Sequence, residues 1–208
     1  MTDMTMDNFL AVLSSSEPVP GGGGACGYVA AVGMSLGNMV LALTTGKKKY
    51  AEYQEEIEEL IVKATDLTKR LAECMDKDAE SFKPLAAAYG LPKDTEEQIK
   101  EREAIMAKAL VTASEAPLSM MELILEAMKL IDRISVIGSR IAISDAGVGI
   151  TMCEAAMKGA SLNVFMNTKL MKDRELAEDM NFKADKMLAE AAQIEEETFG
   201  RVMDAVRP

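Results

Sequence analysis

Residues 18–46 carry no charged side chain; the run opens on glycines and closes against lysines, PVPGGGGACGYVAAVGMSLGNMVLALTTGKKKY over 18–50. A stretch this long and apolar has few destinations. It is long enough to span a bilayer, but Gly21–Gly24, Ser35 and Asn38 dilute it, and Gly33 and Gly37 suit any close helix contact as well as a membrane one. The better solution is a central buried helix over about 24–45, lined with Gly27, Ala30, Ala31, Gly33, Ser35 and Gly37 and stopped by Gly46. No membrane partner is expected. A phosphate loop is excluded, because G-x-x-x-x-G-K-[ST] is missing and no strand precedes the glycines. Glycines before a helix still leave free N–H groups at its positive end, so Gly21, Gly22, Gly23 and Gly24 form either a ligand wall or a plain turn.

The rest of the chain is periodic. An amphipathic helix over about 5–14 precedes the breaker SSSEPVPGGGG. Beyond Tyr50, Ile57, Leu60, Ala64, Leu67, Leu71 and Cys74 follow alternating spacings of three and four, the seam of a long helix that Gly90 and Pro92 end. Thr95 and Gln98 make a capping box for a helix to about Ala116, and Pro117 is placed to open another reaching about Ile134. Further helices cover roughly 138–171 and 173–205, and only RISVIGSRIAIS at 133–144 looks β-like. Aromatics are 4% and tryptophan is absent, whereas Met, Ala and Leu abound, which favours packed helices over sheets. The expected fold is all-α: one domain over 1–208, a bundle of long helices.

Composition narrows the chemistry. A net charge of −11 argues against a nucleic-acid partner, which needs a basic face. The cysteines, Cys26, Cys74 and Cys153, lie far apart, so metal binding is not expected and reduced thiols in a cytoplasm fit best. The first residues, MTDMTMDNFLAVL, show no secretion signal. With no histidine, proton transfer must run on carboxylates, lysines, tyrosines or thiols.

One carboxylate stands out. Four residues beyond Cys74 the seam lands on Asp78, and Phe82 and Leu85 carry the stripe onward, while Asp76 and Glu80 fall to the flanks. A carboxylate facing an apolar interior must be paired, hydrogen-bonded or protonated, and desolvation raises its pKa toward the range useful for acid–base catalysis. If the helix stops near Asp76, or if Pro84 breaks it, Asp78 becomes a surface or capping residue instead. Lys47, Lys48 and Lys49 follow a helix end, where a solvated cationic run is the plain reading. SDAGVG at 144–149 reads as a turn in which Ser144 or Asp145 caps the next helix. Asn163 and Asn167, four apart, suggest a polar lining or a helix contact.

Together, PVPGGGGA, LTTGKKKY, DKDAESF, AYGLPKDTEEQ, APLSMMEL, ISDAGVG and GASLNVFMNTKLMKD stand in the order and about the spacing of the formiminotransferase-cyclodeaminase family. The chain resembles its cyclodeaminase domain and its stand-alone methenyltetrahydrofolate cyclohydrolases over about residues 8–206. Two departures are visible. Gly24 stands where the family commonly has serine, and GSRIAISD lacks the usual asparagine before Ser-Asp, leaving Ser139 or Arg140 nearby. The resemblance implies an all-α, self-associating bundle, a homodimer or higher homo-oligomer, binding folate near the subunit interface with no tightly bound cofactor. It also implies a one-carbon folate reaction at the N5–N10 bridge of tetrahydrofolate. Cyclohydrolysis of the 5,10-methenyl cation is favoured for a stand-alone domain, with 5-formiminotetrahydrofolate cyclodeamination or a non-catalytic folate-binding protein as alternatives. In that reading Asp78, then Asp76, is the acid–base group; Gly21–Gly24 form the substrate wall, Lys47–Lys49 hold the glutamate carboxylates, and Ser144, Asp145 and Asn163 meet the pterin edges.

Overall fold

A computed structural model describes residues 1–208. Its helices are α1 (Met6–Leu13), α2 (Gly22–Ala42), α3 (Gln54–Tyr89), α4 (Glu96–Ile137), α5 (Ile143–Thr168) and α6 (Arg174–Val206), with short 3-10 turns at Lys48–Tyr53 and Arg140–Ala142. There is no strand, as the composition implied.

The uncharged run becomes the axis of the bundle. α2 is apolar enough by composition to cross a membrane, but here it packs against α3, α5 and α4, with α6 lying against α4 and α5. Its glycines let the neighbours come to backbone contact. A Cβ at Gly27 would sit 3.1 Å from the Leu71 carbonyl oxygen of α3, and one at Gly33 2.8 Å from the Gly149 carbonyl oxygen of α5. Gly37 instead faces Ile131 of α4. Gly33 and Gly37 therefore serve different neighbours rather than one G-x-x-x-G seam. Gly46, at φ +73°, turns the chain beyond the helix end.

The α3 seam is buried as its spacing requires, and the Thr95–Gln98 capping box opens α4. Met34, Met120, Met121, Ile124, Met128, Ile131 and Ile134 are completely or almost completely buried, so flexible thioethers fill much of the core. The Thr198 hydroxyl and Arg201 both donate to Asp132, at 2.8 Å each, tying α6 to α4.

One of the two helix-internal prolines departs from expectation. α3 runs 36 residues through Pro84 to the end expected at Gly90, whereas α4 runs 42 residues through Pro117 instead of restarting there. Pro117 has no N–H for the carbonyl four residues back, that of Ala113. The Asn167 side chain supplies the missing donor: its amide Nδ2 donates to the Ala113 carbonyl at 2.7 Å. A side chain of α5 thus closes the gap in the α4 ladder and fixes the two helices in register. Asn167→Ala is expected to cost about 1–3 kcal/mol, the penalty for stranding a buried carbonyl. The loss should shrink in a Pro117→Ala background, where a backbone N–H returns; chemical denaturation of the four proteins of the cycle measures the coupling.

Candidate functional site

The reactive end of the molecule is built where α2 begins. Three of the four glycines, Gly22, Gly23 and Gly24, form the first turn of α2 with Gly21 as N-cap, rather than preceding the helix as a loop. No side chain caps this end. The reason for glycine is steric: α3 crosses so closely that a Cβ on Gly23 would overlap the Asp78 carboxylate. The Asp78 side chain occupies that space, against the bare start of α2.

Two effects act on this carboxylate. Burial pushes the Asp78 pKa above the ordinary 3.8, and the backbone N–H of Gly24 facing it partly offsets the shift. The positive end of α2 favours the anion in the same way. Asp78 is thus a half-buried acid with no cation beside it, free to carry or release a proton. Behind it lies Cys26, whose thiol is pushed up to about 11, by burial first and the Asp78 charge second. Cys26 is therefore a protonated wall, not a nucleophile. Cys74 and Cys153 are also free and buried.

A cavity of about 320 Å³ opens in front of the carboxylate. Gly21, Gly22 and Gly23 form its floor, Asp78, Ser81 and Phe82 one side, and Asn163, Met166 and Asn167 the other. The Asn163 amide donates to the Gly159 carbonyl at 3.0 Å, leaving its own carbonyl oxygen for a ligand. Such a space, walled partly by bare backbone and partly by apolar side chains with a few fixed polar groups, suits a small organic ligand. No three His, Cys, Asp or Glu side chains cluster as metal ligands would.

The expected site residues divide into two sets. Asp78, Gly21, Gly22, Gly23 and Asn163 converge on the cavity, and Gly24 contributes its N–H from beneath, where a Cβ would come within 3.1 Å of the Pro20 ring. Asp76 does not converge. It points to the flank of α3 and pairs with the amino group of Met1. Lys47, Lys48 and Lys49 lie beyond the other end of α2, a helix of 21 residues and about 30 Å at ~1.5 Å per residue. There the Lys47 ammonium donates to the Ser139 hydroxyl at 3.1 Å, and the Arg140 N–H donates to the Tyr50 hydroxyl at 3.1 Å. Ser144 and Asp145 are in the first turn of α5 rather than capping it from outside, and α5 runs antiparallel to α2. They too belong to the lysine end, Ser144 facing an apolar groove of about 470 Å³ with Val29, Met152 and Phe199. One chain therefore does not form a grip from both ends of α2. Tyr89, Ser81, Met166 and Leu170 complete the cavity unannounced, because ordinary helix residues signal nothing until two helices face each other.

Comparison with known proteins agrees with this geometry. The formiminotransferase-cyclodeaminase family model matches residues 5–186. A methenyltetrahydrofolate cyclohydrolase of Methylorubrum extorquens is 37% identical over 202 residues, covering 97% of each chain. The formimidoyltransferase-cyclodeaminase of Mus musculus is 27% identical over 92% of this chain, which spans only 35% of that longer protein. The crystal structure of a formiminotetrahydrofolate cyclodeaminase from Thermotoga maritima superposes with a TM-score of 0.81 at 22% identity, covering 99% of this chain and 96% of that one, so the fold is shared. With a match over most of its length and an acid seated on a glycine helix start, the chain belongs to the formiminotransferase-cyclodeaminase family.

Proposed function

We propose that this protein is a one-carbon folate enzyme acting on the N5–N10 bridge of tetrahydrofolate, as a 5,10-methenyltetrahydrofolate cyclohydrolase. The observation that carries the reading is Asp78, a desolvated and unpaired carboxylate facing a cavity of about 320 Å³ at a bare helix N-terminus. The similarity to the Methylorubrum cyclohydrolase over 97% of both chains supports the choice of reaction.

Asp78 suits each proton movement. Ionised, it stabilises the methenyl cation and takes a proton as water oxygen bonds to the bridging carbon. The tetrahedral carbon then loses its bond to N5, which accepts the proton back from the neutral carboxyl. The hydroxyl becomes the 10-formyl carbonyl and its proton leaves to solvent. Gly21–Gly23 let the flat ring approach the backbone, and the Asn163 amide meets a pterin edge. Cyclodeamination of 5-formiminotetrahydrofolate needs the same tetrahedral carbon and the same shuttle, with ammonia leaving, so it is the alternative.

The reading extends to self-association. The outward side of α2 carries Val29, Val32, Leu36, Met39 and Leu43, and that of α5 carries Val148, Met152, Leu162 and Met166. Leu162 and Met166 are 65% and 64% exposed, and Met39, Leu43 and Val148 are exposed as well, apolar surface of the kind that marks contact with another chain. A second copy covering it makes a homodimer. Sedimentation should then give at least twice 22.5 kDa for the parent, and the monomer mass with intact helical circular dichroism for a Leu36→Glu, Met39→Glu variant. A parent that sediments as a monomer at micromolar concentration refutes the dimer.

Loss of the methenyl chromophore with purified protein, measured against the spontaneous rate, tests the reaction. No acceleration there but turnover of 5-formiminotetrahydrofolate selects the cyclodeaminase; inactivity on both leaves a folate-binding protein. Asp78→Asn should lower turnover by about 10²–10⁴-fold. Its stability effect has the opposite sign. Because the folded pKa of Asp78 lies above the unfolded 3.8, the native state holds the proton more tightly, and ionisation costs stability above that pH. The variant should therefore melt higher than the parent at neutral pH, with the gap closing as pH falls below 3.8 and Asp78 of the parent is protonated in its folded and unfolded states alike. A variant with parental turnover excludes Asp78 as the shuttle.

A further inference from the structure

The cations expected to hold the substrate's anionic tail lie at the wrong end of α2, so the site needs another on its own side. The cavity at Asp78 leads away from the glycines toward Tyr89 and Leu170. Leu170 also lines a smaller hollow of about 190 Å³, whose other walls include Arg102, Glu103, Met106, Leu110 and Lys172. Glu103 is paired with Lys172 at 2.6 Å. Arg102 is not paired. Its Nε is buried without a hydrogen-bond partner. No carboxylate reaches its guanidinium, not even Glu101 on its other flank.

An arginine in this state is unusual. Burying its nitrogen without an acceptor costs free energy that a native fold rarely leaves unanswered. A planar fork of donors with no internal acceptor is suited to a carboxylate from outside. The surroundings agree: Arg102 and Lys172 outnumber the single acid Glu103 in the hollow, in a chain whose net charge is −11.

The spacing also fits. Ala113 lines the cavity that holds Asp78, and Arg102 is 113 − 102 = 11 residues earlier on the same helix, about 16 Å at ~1.5 Å per residue. A benzoylglutamate arm stretched from N10 and the long side chain of Arg102 reaching toward it can cover that distance between them. We propose that Arg102 anchors the glutamate carboxylates of the folate, the arm leaving the cavity between Tyr89 and Leu170. This rests on the folate reading above and adds a specificity residue on the same chain as the acid–base group. Arg102 acts on tail binding and leaves the chemical step alone, so it sets KM for tailed substrates rather than kcat.

The test compares ligands with and without the tail. Binding of 5-formyltetrahydrofolate and of its pteroate counterpart, which lacks glutamate, is measured by calorimetry on parent, Arg102→Met and Arg102→Lys. Turnover of 5,10-methenyltetrahydrofolate is followed on the same proteins, with melting curves to confirm the fold. Loss of one charge-assisted pair should raise the Kd of the tailed ligand, and KM, about tenfold or more in Arg102→Met. The tailless ligand and kcat should change less than about twofold, and Arg102→Lys should recover part of the loss. Equal effects on both ligands, or none on either, overturn the anchor while parental turnover leaves the folate reading standing. A Lys47→Met, Lys48→Met, Lys49→Met protein that alone shows the tail-dependent loss moves the carboxylates to the lysine end and also overturns it. A parent that binds neither ligand overturns the anchor and the folate reading together.

Discussion

The close crossing of α2 over α3 governs everything near the site. Where two helices meet at ordinary distance, side chains fill the gap and a charged group is excluded. Here the Cα of Gly23 leaves a slot the size of one carboxylate, and the side chain of Asp78 fills it. The same absence of side chains lets α5 rest on α2 at Gly33 and Gly149, which carries Asn163 and Asn167 to the opposite wall. A bulky residue at Gly27 or Gly33 would push the neighbouring helices away, and one at Gly23 would displace the acid.

The electrostatic state of the site follows from a contest between burial and the helix start, in which burial is the larger effect and the pKa ends up raised. Desolvation favours the neutral acid, whereas the unpaired N–H groups starting α2 favour the anion. A lysine or arginine in contact would settle the contest for the anion and end its use as a proton donor. A fully apolar pocket would settle it the other way. By placing a helix start, not a cation, against the acid, the fold keeps both forms accessible without histidine, which this chain lacks.

Asp78 was legible in the sequence because a period of three and four is a strong signal, and the seam runs unbroken from Ile57 to the carboxylate. The glycine cluster was half legible: its place at the wall could be anticipated, but its helical state could not, since propensity disfavours glycine there and only the crossing of α3 demands it. Pro117 misled for a related reason. Local rules make proline a helix opener, and the donor that lets α4 continue comes from Asn167, 50 residues later by 167 − 117. The lysines look in sequence like the far end of one grip, yet the helix already expected between them and the glycines sets the two ends about 30 Å apart at ~1.5 Å per residue. Arg102 had no signal at all; an arginine on a charged helix stands out only when its partners can be counted.

Cys26 is a free thiol within the field of the acid. Oxidants and electrophiles attack thiolates, and a thiol held near 11 is almost wholly protonated in neutral solution. The field of Asp78 that adds to this value is strongest when the acid is ionised. Burial first, and the ionised acid second, therefore keep this sulfur in its less reactive thiol form beside the site.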